Sequence, residues 1–412
     1  MSFYFPVFKR PLSKKKDDYF LALDIGTEAV KALVFKKGEG TDKKIIISGI
    51  SSQYLDDFNI SDSREVQVGI NKKAISRAIE EAKELSLKNL NERFSEKNLP
   101  LILTLSPKLL KARIFFHSLN HKNPKEVIDK KQEQELFQKV IEEAEVKISQ
   151  EFAEIYGVLP HDIQFTALKI LETKINGYKV SSLLGFSGGR IDFKILAVFS
   201  FKQYLEIIKE TLKALDYSVF KIVHLAEVLP FFFLGEKLNA VFLDIGGEAS
   251  QFFWITEGKL ERIDDFNLGG GIFSQTLSEI LGLRKKEARI LKERYSNGEL
   301  SLKAKKRIRE ILALELQSWL GSFRDELTKA KSFLPPNCFL LGGASQLPDI
   351  KEILTQEERD NVSSVFFSKV RFVEIEKLKN IQNETKTLIS PMDIPLLLII
   401  ILQEIYCKNG RN

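Results

Sequence analysis

The chain has 412 residues, 44% hydrophobic and 29% charged, a globular profile that excludes a disordered or fibrous chain and exceeds one ordinary domain. Its net charge of +6, from 62 basic and 56 acidic residues, is small and dispersed along helical segments, so it does not argue for nucleic acid. Two cysteines, Cys338 and Cys407, give neither a disulfide framework nor metal-ligand spacing, and reducing cytosol is the simplest compartment.

Residues 1–19 read as a flexible leader, aromatic at Phe3, Tyr4, Phe5 and Phe8, then basic at Lys9, Arg10 and Lys14 to Lys16. It has no apolar region or cleavage site of a secretory signal, and Pro6 and Pro11 break a clean amphipathic helix. A solvated leader is expected, with contact to an anionic membrane surface as the alternative. Residues 20–50 alternate apolar strands with a Lys/Gly turn at 36–44, as in a β-meander. Residues 71–98 carry apolar Ala74, Ile75, Ala78, Ile79, Ala82 and Leu85 at helical spacing, and 99–105 is a strand.

The next stretch reads as an insertion. Residues 122–157 are charged and helical, with the stripe Leu136, Val140, Ile141, Ala144, Ile148 and Phe152. Strands are expected at 163–171, 178–184 and 192–199, giving a small α+β subdomain over 99–186. A helix over 201–215 and a short strand at 220–225 follow. Beyond the second apolar hairpin, helices are expected at 272–281, 284–295 and 302–332, an edge strand at 370–373 and an apolar helix at 394–406. The run at 395–402 is too short to cross roughly 30 Å of hydrocarbon, so a buried terminal helix is expected.

Three separated segments then converge on one chemistry. FLALDIGTEAVKALV at 20–34 and AVFLDIGGEASQFFWITEGKL at 240–260 share an apolar strand, Asp-Ile-Gly, a small-residue turn and a return strand. CFLLGGASQLPDI at 338–350 opens a third strand through Gly342 and Gly343 into a helix start at Ser345 and Pro348. Glycine lets a turn approach phosphate oxygens with backbone N–H donors, as at Gly26-Thr27 and Gly246-Gly247. Asp24 and Asp244 end their strands where they could organise the water shell of Mg²⁺, which binds through few carboxylates plus phosphate. Lys31 could supply a point charge to terminal phosphates, and Gly342-Gly343-Ala344 a flat backbone for purine and ribose. Any one of these motifs is a common turn or cap; the recurrence is what implies a nucleotide cleft between two pseudo-equivalent halves.

The remaining residues carry little chemistry. His117, His121, His161 and His224 show no metal spacing and no nucleophile partner, so surface or capping roles are expected. There is no Walker A sequence and no strand–GxGxxG–helix unit, and no catalytic residue is singled out.

These segments resemble the actin-like ATPase superfamily, and more narrowly its FtsA/PilM branch. LALDIGTEAVKALVF, AVFLDIGGEASQFFWITEGKL and FLLGGASQLPDI match the phosphate-1, phosphate-2 and adenosine motifs. LGGGIFSQTLSEILGLRKKEARILKERY matches the Gly-Gly helix and the Ala-Glu-x-x-Lys helix. The match runs from about residue 20 to the C-terminus, and VSSLLGFSGGRIDFKILAVFS resembles the FtsA stretch after its inserted subdomain. The resemblance implies an α/β, two-lobed actin-like (ribonuclease H-like) ATPase fold with an inserted small α+β (SHS2/1C) subdomain. The first lobe would comprise 20–98 and 187–225, the insertion 99–186, the second lobe 226–390, and a C-terminal helix at 391–412 would pack on the first lobe.

It further implies ATP and Mg²⁺ as cofactors, with Gly270 and Lys292 joining Asp24, Gly26, Thr27, Lys31, Asp244, Gly246, Gly247, Gly342, Gly343 and Ser345 in the site and Asp24 and Asp244 at the metal. The implied role is a scaffold of bacterial cell division, at most a slow ATPase, that links FtsZ to the inner membrane and self-associates into filaments or dimers. The rival is a PilM-like adaptor of type IV pilus or type II secretion assembly; a sugar kinase and a pseudo-ATPase with a degenerate cleft are further alternatives. The chain departs from the family pattern at three places. Glu248 stands in the phosphate-2 turn, Arg289 replaces the glutamate expected at the ribose, and the linker and membrane helix of FtsA are not found before Asn412.

Overall fold

The computed structural model describes residues 19–38, 44–57, 70–90, 99–229, 237–329, 334–355, 367–374, 381–387 and 389–409, side chains of 57, 90 and 402–409 excepted. The expected leader, bar Tyr19, and parts of the 36–44 turn and of the helices called at 71–98 and 302–332 lie outside the described residues. The chain divides into two compact units. Among the described residues one is Leu109–Glu206 and the other is everything before and after it.

The larger unit begins with β1 (Tyr19–Ile25), β2 (Ala29–Lys37) and β3 (Ile45–Tyr54), then α1 (Lys72–Leu90) and β4 (Leu101–Leu105). The smaller unit follows with β5 (Lys111–Asn120), α2 (Lys130–Tyr156), β6 (Ile163–Ile175), β7 (Tyr178–Val180) and β8 (Arg190–Phe201). The boundary falls inside α3 (Lys202–Lys213), after which come β9 (Val219–Ile222), β10 (Ala240–Ile245), β11 (Ser250–Thr256) and β12 (Lys259–Phe266). Helices α4 (Gly270–Leu281), α5 (Lys285–Ser296) and α6 (Leu302–Thr328) precede β13 (Asn337–Leu341). The described chain closes with α7 (Pro348–Thr355), β14 (Lys369–Phe372), β15 (Ile381–Asn383) and α8 (Ile394–Asn409).

Two sheets organise the larger unit, in the orders β15-β3-β2-β1-β4-β9 and β12-β11-β10-β13-β14. Each has an antiparallel three-strand meander whose first strand also pairs in parallel with a later strand. This is one topology used twice. The central strands β1 and β10 are buried almost throughout, which explains why they read as continuous apolar runs rather than alternations.

Helices cover these sheets. On the first, α1 presents Ala74, Ile75, Ala78, Ile79 and Ala82, all buried, and packs on β2 and β3. Gly49 of β3 permits this, because a Cβ there would lie 2.9 Å from the Ser86 nitrogen and closer still to the Ala82 carbonyl. Helix α8 contacts β1, β3 and β4 and buries Ile394 and Leu396 to Ile400. The core of the second lobe gathers Val241, Leu243, Phe252, Trp319 and Phe323. Its Trp319 is fully buried and donates from Nε1 to Ser250 Oγ at 2.9 Å.

The smaller unit is an antiparallel sheet in the order β5-β8-β6-β7 with α2 against one face. Phe137, Val140, Ala144, Ile148 and Phe152 of α2 share a core with Phe165, Phe193, Ile195 and Phe199. Asp129 caps the helix through a reciprocal box with Gln132, and Gly157 ends it in the left-handed region at φ 66°. Its limits differ from the expected 99–186. Strand β4 pairs with β1 in the larger unit, whereas β8 sits between β5 and β6. Both are apolar runs, and hydrophobic periodicity does not say which sheet such a strand joins.

Candidate functional site

The turn between β1 and β2 is closed by the Gly26 N–H donating to Ala29 O at 3.0 Å, and that between β10 and β11 by the Gly246 N–H donating to Ala249 O at 3.0 Å. A Cβ on Gly26 would sit 2.8 Å from the Ala29 carbonyl oxygen, so this turn admits glycine alone. Asp24 and Asp244 occupy the same place, one residue before the last of each strand, opposite Lys31 and Gln251 across the antiparallel pair. The third segment leaves β13 through Gly342 at φ +81°, a backbone region that favours glycine. A side chain there would also strike the Asp244 carboxylate.

The two turns face each other. Thr27 Oγ1 in the first accepts the Glu248 N–H of the second at 2.9 Å. Lys292 of α5 donates to Gly270 O at 2.9 Å and lies 3.7 Å from Glu28 of the first turn. Between them lies a cavity of about 400 Å³, within the usual range for a small-molecule site.

Among the described residues, no hydrogen bond accepts the N–H of Thr27 or Gly247. The glycine N–H groups expected as donors at Gly26 and Gly246 are instead spent on closing the turns.

Lys31, Asp24 and Asp244 are among the charged residues of the cavity lining. Lys31 Nζ lies 3.3 Å from Asp24 Oδ2 and donates to Met392 O at 2.5 Å. Burial pushes the Asp244 carboxyl up to about 6; Lys31 opposes the shift and the nearby Asp24 charge adds to it. Asp24 and Lys31 thus lie close enough to act on the Asp244 charge. Glu248 does not line the cavity; its carboxylate lies 2.5 Å from Lys108, which offsets its charge. Arg289 does not line the cavity and pairs with Asp56.

Of the residues singled out in the sequence, Asp24, Gly26, Thr27, Lys31, Asp244, Gly246, Gly247, Lys292, Gly342 and Gly343 line the cavity. Gly270 and Ser345 do not. Gly270 lets α4 approach Ala344, where a Cβ would land 2.5 Å from the Ala344 methyl. Ser345 is fully buried and its hydroxyl donates to Gly342 O at 2.6 Å, a local turn role.

Tyr54, Thr104, Ser106, His224 and Glu293 also line the cavity without any signal in the sequence. Ser106 is the most telling, because its buried hydroxyl has no partner among the described residues. His224 does cap a short turn, Nδ1 accepting the Ala226 N–H at 3.0 Å. Among the described residues no group of three or more His, Cys, Asp or Glu could hold a metal alone, and no helix is long and apolar enough to cross a membrane.

No protein-family model matches the chain, and no curated protein sequence matches it. The structure is similar to a solved chain of a PilM–PilN type IV pilus biogenesis complex, at 16% identity and a TM-score of 0.61, over 93% of this chain and 97% of that one. It also aligns with the ethanolamine utilization protein EutJ from Carboxydothermus hydrogenoformans, at 12% identity, 95% and 90% coverage and a TM-score of 0.46. MreB 5 of Spiroplasma citri bound to AMPPNP aligns at 11% identity, 97% and 99% coverage and a TM-score of 0.45. The last two are too distant to carry argument. The first speaks to the fold alone, and that fold is the two-lobed actin-like ATPase fold.

Proposed function

We propose that the chain binds ATP with Mg²⁺ in the cleft between its two lobes and acts as a nucleotide-gated scaffold. The observation supporting this is the convergence of Asp24 and Asp244 on one cavity between two facing glycine turns. Thr27 and Gly247 supply the backbone donors to phosphate, and Lys31 and Lys292 the point charges. The orphan Ser106 hydroxyl offers one more polar contact. Gly342 and Gly343 give the backbone surface for purine and ribose.

Two carboxylates on one cavity, one of them half-buried and held toward protonation, suit a small cation that keeps most of its waters. Asp24 and Asp244 would hold it, and once bound it would neutralise phosphate charge. With Glu248 drawn to Lys108, the second turn offers backbone rather than a side chain to the phosphates, so hydrolysis is slow at most. The working step is lobe closure on nucleotide, which changes the surfaces offered to a partner or a second copy.

The nearly end-to-end likeness to a chain from a PilM–PilN complex supports a PilM-like adaptor that docks on an assembly protein. An FtsA-like role, linking FtsZ to the inner membrane through peripheral contact and self-association, is the second reading. It is favoured by the inserted α+β unit and the sequence that follows it. Crystals soaked with a non-hydrolysable ATP analogue and Mg²⁺ test the shared claim: phosphates between the 26–28 and 246–248 turns are expected, and density elsewhere contradicts it. Co-purification with a pilus-assembly protein or with FtsZ then separates the two roles.

A further inference from the structure

Arg289 reaches from one lobe to the other. It leaves α5 of the second lobe, and its guanidinium grips Asp56, two residues past β3 of the first, with Nε at 3.0 and 3.2 Å and Nη2 at 3.1 Å from the carboxylate oxygens. The guanidinium lies 3.6 Å over the ring centroid of Tyr54, and Nη1 reaches Glu293 at 3.3 Å. Burial raises the Tyr54 phenol well above its ordinary range, and its hydrogen bond to Glu293 adds to the shift. Arg289 is only 7% exposed. The cation is buried, forked onto Asp56 and stacked on Tyr54, whereas Asp56 itself is exposed, so removal of the buried partner is felt more than in a pair exposed on both sides.

The placement gives this cluster a role beyond packing. Tyr54 and Glu293 wall the cavity, while Arg289 and Asp56 stand behind them, outside its lining. One cation thus holds a first-lobe wall residue and a second-lobe wall residue together. Parting of the Arg289–Asp56 pair frees both wall residues at once.

We propose that Arg289 is a latch between the lobes, and that nucleotide enters and leaves the cleft when the Arg289–Asp56 pair parts. The nucleotide half of this inference rests on the cleft reading above; the latch itself acts in the nucleotide-free chain. It sets the rate of exchange rather than the affinity, because opening precedes both entry and departure. The tie at Thr27 and Glu248 joins the same lobes at the turns, so the latch governs the Tyr54–Glu293 wall and not the whole interface.

Two measurements on the full chain test it. Stopped-flow binding of methylanthraniloyl-ATP with Mg²⁺ compares wild type with Arg289→Ala and Asp56→Asn. Association and dissociation rates are both expected to rise about tenfold, with little change in their ratio; rates unchanged in both variants overturn the latch. Hydrogen exchange on the nucleotide-free chain reads the amides of residues 55–57 and of α5. The Leu55 N–H, which donates to Glu28 O at 2.8 Å, is expected to exchange faster in both variants, and unchanged exchange in both overturns the latch. Arg289→Lys, which keeps charge but loses the fork and the stack, is expected to fall between. Should wild type bind no nucleotide, the cleft reading fails, and the exchange data still decide the latch.

Discussion

Thr27 and Glu248, one in each lobe, are joined by a 2.9 Å hydrogen bond from the Glu248 N–H to the threonine hydroxyl. The bond ties the first glycine turn directly to the second. Thr27→Val keeps the shape and removes the acceptor. It is expected to cost about 1 kcal/mol in urea unfolding and to weaken ATP binding, while Thr27→Ser restores both.

Asp244 gives a pH dependence with a defined sign. Its carboxyl titrates near 6 in the folded chain, above the ordinary value of about 4. Between those values the folded state holds the proton more tightly than the unfolded state does, so this group's contribution to stability falls as pH rises through that window. Asp244→Asn removes the titration. Unfolding midpoints measured from pH 4 to 7 should show the variant gaining on wild type with rising pH, by on the order of 2 kcal/mol at the top. Mg²⁺ added to wild type at pH 7 should recover part of that difference.

Gly342 has a backbone that a side chain strains and a neighbour that a side chain strikes, with φ at +81° and the Asp244 carboxylate in the path of a Cβ. Gly342→Ala is therefore expected to cost about 2 kcal/mol or more in denaturant unfolding. Gly157→Ala, also at positive φ but with open space around it, should cost less. Equal losses would mean that the contact with Asp244 adds nothing to the backbone strain.

Much of this was legible because the decisive signals are local and repeated. Asp24 and Asp244, Gly26 and Gly246, and Ala29 and Ala249 are each separated by 220 residues, and each Gly–Ala pair closes the same turn. What the sequence hid is long-range. Thr104 reaches the cavity because β4 pairs with β1 beside Asp24, and no local pattern encodes that register. Glu248 read as a carboxylate against phosphate; its partner Lys108 is 140 positions away. Arg289 read as a lost ribose contact, whereas its structural partner Asp56 lies in the other lobe. The limits of the small unit were obscured for a related reason, since β4 and the 195–199 part of β8 are both apolar runs yet join different sheets.

Within the small unit Glu133 is buried and accepts from Ser182 Oγ at 2.6 Å and the Leu183 N–H at 2.7 Å. It fastens the start of α2 to the segment between β7 and β8. Glu133→Ala leaves the Leu183 N–H without an acceptor and is expected to cost about 2 kcal/mol. Hydrogen exchange should show the loss at residues 182–186, with the amides of β1 and β10 unaffected.

Isothermal titration with ATP and Mg²⁺ on wild type and on Asp244→Ala tests most directly whether the paired turns form a nucleotide site. Wild type should release saturable heat that chelation of Mg²⁺ diminishes, and the variant should lose most of it. Heat that Asp244→Ala leaves unchanged, or a wild type that gives none, would contradict the account.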